Sequence, residues 1–91
     1  MLIFEKFENV EKAETFAQAI RTEFFRKAIV CNSQEESDKF DVFPYELKPV
    51  IVLVERIDYE EDMDGKAVDQ IERETEIEKF VESYGGEFAG T

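Results

Sequence analysis

Pro49-Val50-Ile51-Val52-Leu53-Val54 constrains this chain more than any other stretch. A β-strand sends alternate side chains to opposite faces of its sheet, so an unbroken apolar run has something to bury on both faces. The run therefore predicts a central strand covered from both sides. Pro49 brings no N–H to a ladder and suits the first position of such a strand.

The remaining elements must supply neighbours and covers for that strand. Residues 2–7 read as a first strand, ended by the polar pair Glu8-Asn9. Asn9 can cap a helix by accepting from a free backbone N–H. From Val10 to about Phe25, Ala13, Phe16, Ala17, Ile20 and Phe24 recur at i, i+3, i+4, i+7 and i+11, one helical stripe. Residues 26–32 read as a second strand around β-branched Ile29 and Val30. The polar stretch 33–39 reads as a loop. Residues 40–45 are too aromatic for a free loop, and Pro44 excludes a central strand, so they read as a loop folded onto the core, with room for a short edge strand. Residues 58–65 form an acidic loop, residues 66–84 a second helix, and Glu87-Phe88-Ala89 a last short strand. Gly85 stands where a helix stops on a residue of positive φ. The order strand, helix, strand, strand, helix, strand predicts an α+β, ferredoxin-like βαββαβ domain over residues 1–91, an antiparallel sheet with two helices on one face.

The second helix does not keep one apolar face. Ile77, Phe80, Val81 and Tyr84 form a stripe, but extended backwards it meets Arg73 and Gln70. Ala67, Val68 and Ile71 point well away from it at about 100° per residue. The helix starts late, kinks, or rests its first turns on something else, either the 33–48 loop or a partner.

Charge and composition then exclude whole classes of function. The 23 acids and 11 bases give a net charge of −12, which opposes binding to phosphate backbones and favours a basic partner. At 43% hydrophobic, with nine Phe and three Tyr, the chain has enough apolar surface to fold. No apolar run approaches a membrane span, and the N-terminal residues lack the basic region of a signal peptide. Cys31 is the only cysteine and sits in an apolar stretch, so it reads as a buried thiol in a protein of the reducing cytoplasm. Without histidine it has no partner for thiol catalysis.

The acidic loop is the one cluster that invites a metal test. Glu60-x-Asp62-x-Asp64-Gly65 resembles the start of an EF-hand loop, but position 12 is Ile71 instead of a bidentate Glu, position 1 is not Asp, and a strand precedes it in place of a helix. No carboxylate pair stands out for acid–base work, the glycines follow a helix where a phosphate cradle would precede one, and basic residues do not interleave with the aromatics as in base-stacking surfaces. The expectation is a non-enzyme without cofactor or metal that binds a protein. Its candidate contact residues are Asp58, Glu60, Glu61, Asp62 and Asp64.

The C-terminal half adds a resemblance. An acidic loop, a helix and then Gly85-Gly86-Glu87-Phe88-x-Gly90 is similar to the RraB-like family, ferredoxin-like proteins regarded as inhibitors of ribonuclease E. That family often ends in Gly-Gly-Glu-Tyr-Asp-Gly-Trp; here Ala89 replaces the Asp and Thr91 the Trp. The likeness covers roughly residues 50–91 and implies an acidic, non-catalytic modulator of a nucleic-acid enzyme. Two alternatives stand beside it: a nucleic-acid mimic from a phage or mobile element that blocks a defence nuclease, and a module for a small ligand or metal. An exposed edge strand can also pair two copies.

Overall fold

β3 (Ile51–Val54) is buried at all four positions, as its unbroken apolar run requires. The structure, a computed structural model, describes residues 1–32 and 50–91. Around β3 these residues form β1 (Leu2–Glu5), α1 (Val10–Ala19) continued by a π-helical turn (Ile20–Phe24), β2 (Ala28–Cys31), α2 (Gln70–Phe80) continued by a 3-10 turn (Val81–Tyr84), and β4 (Glu87–Gly90). The expectations for 33–39 and 40–45, and for Pro49, lie outside the described residues. The class is α+β: among the described residues, a four-stranded antiparallel sheet in the order β2-β3-β1-β4, with two helices.

The alternation of each strand sorts its side chains. Leu2, Phe4, Val52, Val54 and Ala28 join one core cluster with Phe16, Ile20, Ile77 and Val81 from the helical segments. Ile3, Ile51, Leu53 and Cys31 form a second cluster that contains no helix residue. Both helices therefore pack on one face, and Phe16 is the hub. Its ring lies 5.2 Å from Phe4, 5.6 Å from Phe7, 6.1 Å from Phe80 and 5.7 Å from Tyr84, separations at which tilted and edge-to-face rings attract.

The helix boundaries follow from their caps. Asn9 is extended and its Oδ1 accepts from Lys12 N at 2.9 Å. The stripe of Ala13, Phe16, Ala17, Ile20 and Phe24 is buried throughout. α1 does not reach Phe25 as a regular helix: its last turn is π-helical, and Phe25 ends it in the left-handed region at φ 55°, ψ 38°. The second helix begins at Gln70 and not at Lys66. Asp69 caps it, accepting at Oδ1 from Ile71 N at 2.9 Å and Glu72 N at 3.4 Å. Residues 66–68 are committed to the preceding loop, where Ala67 bridges Glu61 and Val68 N donates to Glu60 O at 3.0 Å.

The adjacent glycines at the end of α2 do different work. Gly85 takes φ 78° and leaves open space around a would-be Cβ. Gly86 would place a Cβ 2.6 Å from the Phe7 ring and 2.7 Å from Val81 Cγ2. The chain can then turn into β4, where Phe88 packs 5.5 Å from Phe4. Gly85→Ala should cost about 1–2 kcal/mol through backbone conformation alone, and Gly86→Ala about 1–3 kcal/mol through overpacking. Trimming the obstruction separates the two in urea denaturation: Phe7→Leu should lessen the penalty at Gly86 and leave that at Gly85 unchanged.

Candidate functional site

Gln70 and Arg73 stand where the α2 stripe should be apolar, and the structure shows what they meet. Arg26, between the end of the first helical segment and β2, has a side chain with no exposed surface. Its Nη2 donates to Gln70 Oε1 at 2.6 Å and lies 3.6 Å from Glu60 Oε1. Gln70 Nε2 donates to the same Glu60 oxygen at 3.3 Å, and Arg73 Nε approaches it to 3.4 Å. Arg73 also bonds Glu76 Oε2 at 3.0 Å and stacks over the Phe24 ring at 4.7 Å, a cation–π distance. Two guanidinium groups thus share one mostly buried carboxylate. Arg26 Nε and Nη1 and Arg73 Nε are buried without a hydrogen-bond acceptor among the described residues. Arg56 adds an outer tie, donating from Nε to Glu74 Oε1 at 2.7 Å.

The loop that delivers Glu60 is a hairpin with defined geometry. Asp62 N donates to Lys66 O at 2.9 Å, and Asp62 Oδ1 accepts from Asp64 N and Lys66 N, each at 2.9 Å. Gly65, at φ 76°, supplies the turn and donates to Asp62 O at 3.0 Å. An Asx-type turn therefore overcomes the mutual repulsion of its acids. Met63 stands fully exposed, with a relative accessibility of 104%. Tyr59 donates to Glu61 Oε1 at 2.7 Å, and this bond raises the phenol above its ordinary pKa of 10.0.

The five acids singled out in the sequence divide. Asp58, Glu61, Asp62 and Asp64 are exposed around the hairpin. Glu60 faces inward and belongs to the arginine cluster, so it is not an outward contact. One oxygen of Asp62 serves the turn. Among the described residues, no three His, Cys, Asp or Glu side chains are grouped to hold a metal ion, and no helix is long and apolar enough to cross a membrane. Arg26, Gln70 and Arg73 were not candidates in the sequence. Gln70 and Arg73 carried a signal as polar residues on the extension of an apolar stripe, but without the fold it has no partner to point to, and Arg26 carried none. No family model, curated protein or solved structure matches the chain.

Removing one partner of a buried charge cluster costs more than removing its surplus charge. Glu60→Ala leaves Arg26 buried and uncompensated and should cost about 3 kcal/mol or more. Arg26→Met fills the volume while Glu60 keeps Arg73 and Gln70, and should cost about 1 kcal/mol or less. Urea midpoints for the two variants measure this asymmetry, and the double substitution should recover much of the Glu60→Ala loss.

Proposed function

We propose that this chain is a small, acidic, non-catalytic regulator that acts by binding another protein through the 58–66 hairpin. Its fold is ferredoxin-like, and its target class is a ribonuclease or another nucleic-acid enzyme. One observation carries this: the hairpin is held by its own backbone and the Asp62 carboxylate, yet presents Asp58, Glu61 and Asp64 to solvent around a fully exposed Met63. Carboxylates on a fixed backbone beside an apolar tip lose little loop freedom on docking, and they complement a basic surface of the kind that nucleic-acid enzymes carry.

The fold assignment is supported by the chain order of the elements and by the strand order, which reads β4-β1-β3-β2 from the other edge. The ribonuclease assignment is supported by the resemblance of the C-terminal ending to the RraB-like family. Several residues of that ending have work in the fold: Gly85 as helix stop, Gly86 against Phe7, Phe88 half-buried against the core, and Glu87 paired with Lys6 at 3.2 Å. The shared pattern therefore speaks first for the way such a domain closes. The acidic hairpin speaks for the partner.

Titration into a purified ribonuclease E-type endonuclease should inhibit cleavage at an equimolar ratio. Asp58→Lys with Asp64→Lys should raise the concentration needed by about tenfold or more, and raising salt from about 50 to about 300 mM should weaken inhibition through screening. Full cleavage at excess protein, with no complex on size-exclusion chromatography, rejects this target class.

A further inference from the structure

We infer that the open cleft between the π-helical turn and edge strand β2 is a binding site for a small organic anion with a planar, apolar body. The cleft has a volume of about 600 Å³, within the range of ligand sites, and its walls combine cations with Phe25 and Ile29. The chain order brings these residues to one space: the turn that carries Arg21 runs into Phe25, Arg26 and Lys27, and these lead into β2. No residue of the 58–66 hairpin lines the cleft, so the site stands apart from the docking proposed above.

The cleft reverses the sign of the molecule. Arg21, Arg26 and Lys27 line it against one carboxylate, Glu55, in a chain of net charge −12. Glu55 already accepts at Oε1 from the backbone N–H of Lys27 at 2.9 Å. Neither Arg21 nor Lys27 pairs with a carboxylate among the described residues. Arg21 donates from Nε and Nη2 to Ala28 O at 3.2 and 2.6 Å, and from Nη1 to Gln18 Oε1 at 3.2 Å. A guanidinium has more N–H donors than these bonds use, so Arg21 keeps donors for an incoming anion. Arg26 contributes as a buried charge: it shares Glu60 with Arg73, and its Nε and Nη1 lack an acceptor among the described residues. Charge is felt more strongly through a low-dielectric interior than through water.

Phe25 selects the body of the ligand. It is 82% accessible and holds the left-handed conformation at φ 55°, ψ 38°, where an aromatic strains the backbone and gains nothing from burial. Strain of this kind concentrates at functional sites. The exposed ring offers an aromatic ligand a face to stack on, while Arg21 and Lys27 meet its anionic head. Charge selects the size. Exposed Glu23 lies two residues before Phe25 but does not line the cleft. At physiological salt, charges beyond about 8 Å are largely screened, so a compact anion meets mainly the local cations. A nucleic acid would run on past the cleft over the surface of an acidic protein, where its phosphates are repelled.

Amide NMR titrations of the whole protein with naphthoate, its neutral amide naphthamide, and acetate test the two halves of the site. Naphthoate should bind about fivefold or more tightly than naphthamide and about tenfold or more tightly than acetate, and it should shift the amides of Phe25, Lys27 and Ile29. Lys27→Gln should weaken naphthoate by about threefold or more at an unchanged melting temperature. Phe25→Gly should weaken it by about fivefold or more without lowering the melting temperature, because glycine relieves the left-handed strain. Equal affinity for naphthoate and naphthamide overturns the anion site, and equal affinity for naphthoate and acetate overturns the aromatic body. Shifts confined to other residues, or no saturable shift with naphthoate, overturn the site altogether. A short single-stranded oligonucleotide that shifts the same amides at lower concentration overturns the small-ligand class and makes the cleft a polyanion contact. The ligand comparison uses the unaltered protein, so it decides the matter even where a variant fails to fold.

Discussion

A guanidinium without exposed surface organises one end of this molecule. Arg26 cannot be left unpaired in the interior, since a buried charge without compensation costs several kcal/mol. Glu60 and Gln70 meet it, and their positions dictate much else. The loop after β3 must return far enough to bring Glu60 inward. α2 must begin early enough to place Gln70 and Arg73 on the inner side of its first turns. The chain neighbours of these three, Phe25, Tyr59 and Ile71, are exposed. The cluster is a constraint on geometry more than a source of net stability, because it holds two cations for one carboxylate and leaves donors without acceptors among the described residues.

The acidic hairpin and the arginine cluster belong to one construction. Glu60 accepts within the cluster through its side chain and pairs with Val68 through its backbone, so the base of the hairpin is anchored on both counts. Asp62 then closes the tip. A run of acids that would repel and stay mobile in isolation becomes a shaped, charged projection. The proposed protein-binding role rests on that link from buried polar chemistry to exposed electrostatics.

Much of the fold was legible. The alternation rule read the burial of Ile51–Val54 correctly, the helical stripe from Ala13 to Phe24 is buried as its spacing requires, and Asn9 and Gly85 cap where their chemistry suits. The start of α2 was legible only as one of several alternatives: the broken stripe allowed a late start, and the helix does begin at Gln70. Lys66, Ala67 and Val68 are compatible with helix, and only their pairing with the hairpin removes them from it. The candidate site was half legible: composition marked the acidic loop, but the inward turn of Glu60 depends on Arg26, which is 34 positions earlier in the chain.

The sequence by itself determined the periodic features: strands, helices, the positive-φ stop at Gly85, and the sign of the net charge. These follow from local stereochemistry and from patterns within one element. The tertiary structure alone decided which acid is buried and which apolar residues are not. Glu60 and Glu61 are the same residue type side by side, and Ile71 and Ile77 lie on one helix. Their fates diverge because burial depends on what another segment brings to that face, and here a buried arginine brings a demand for charge.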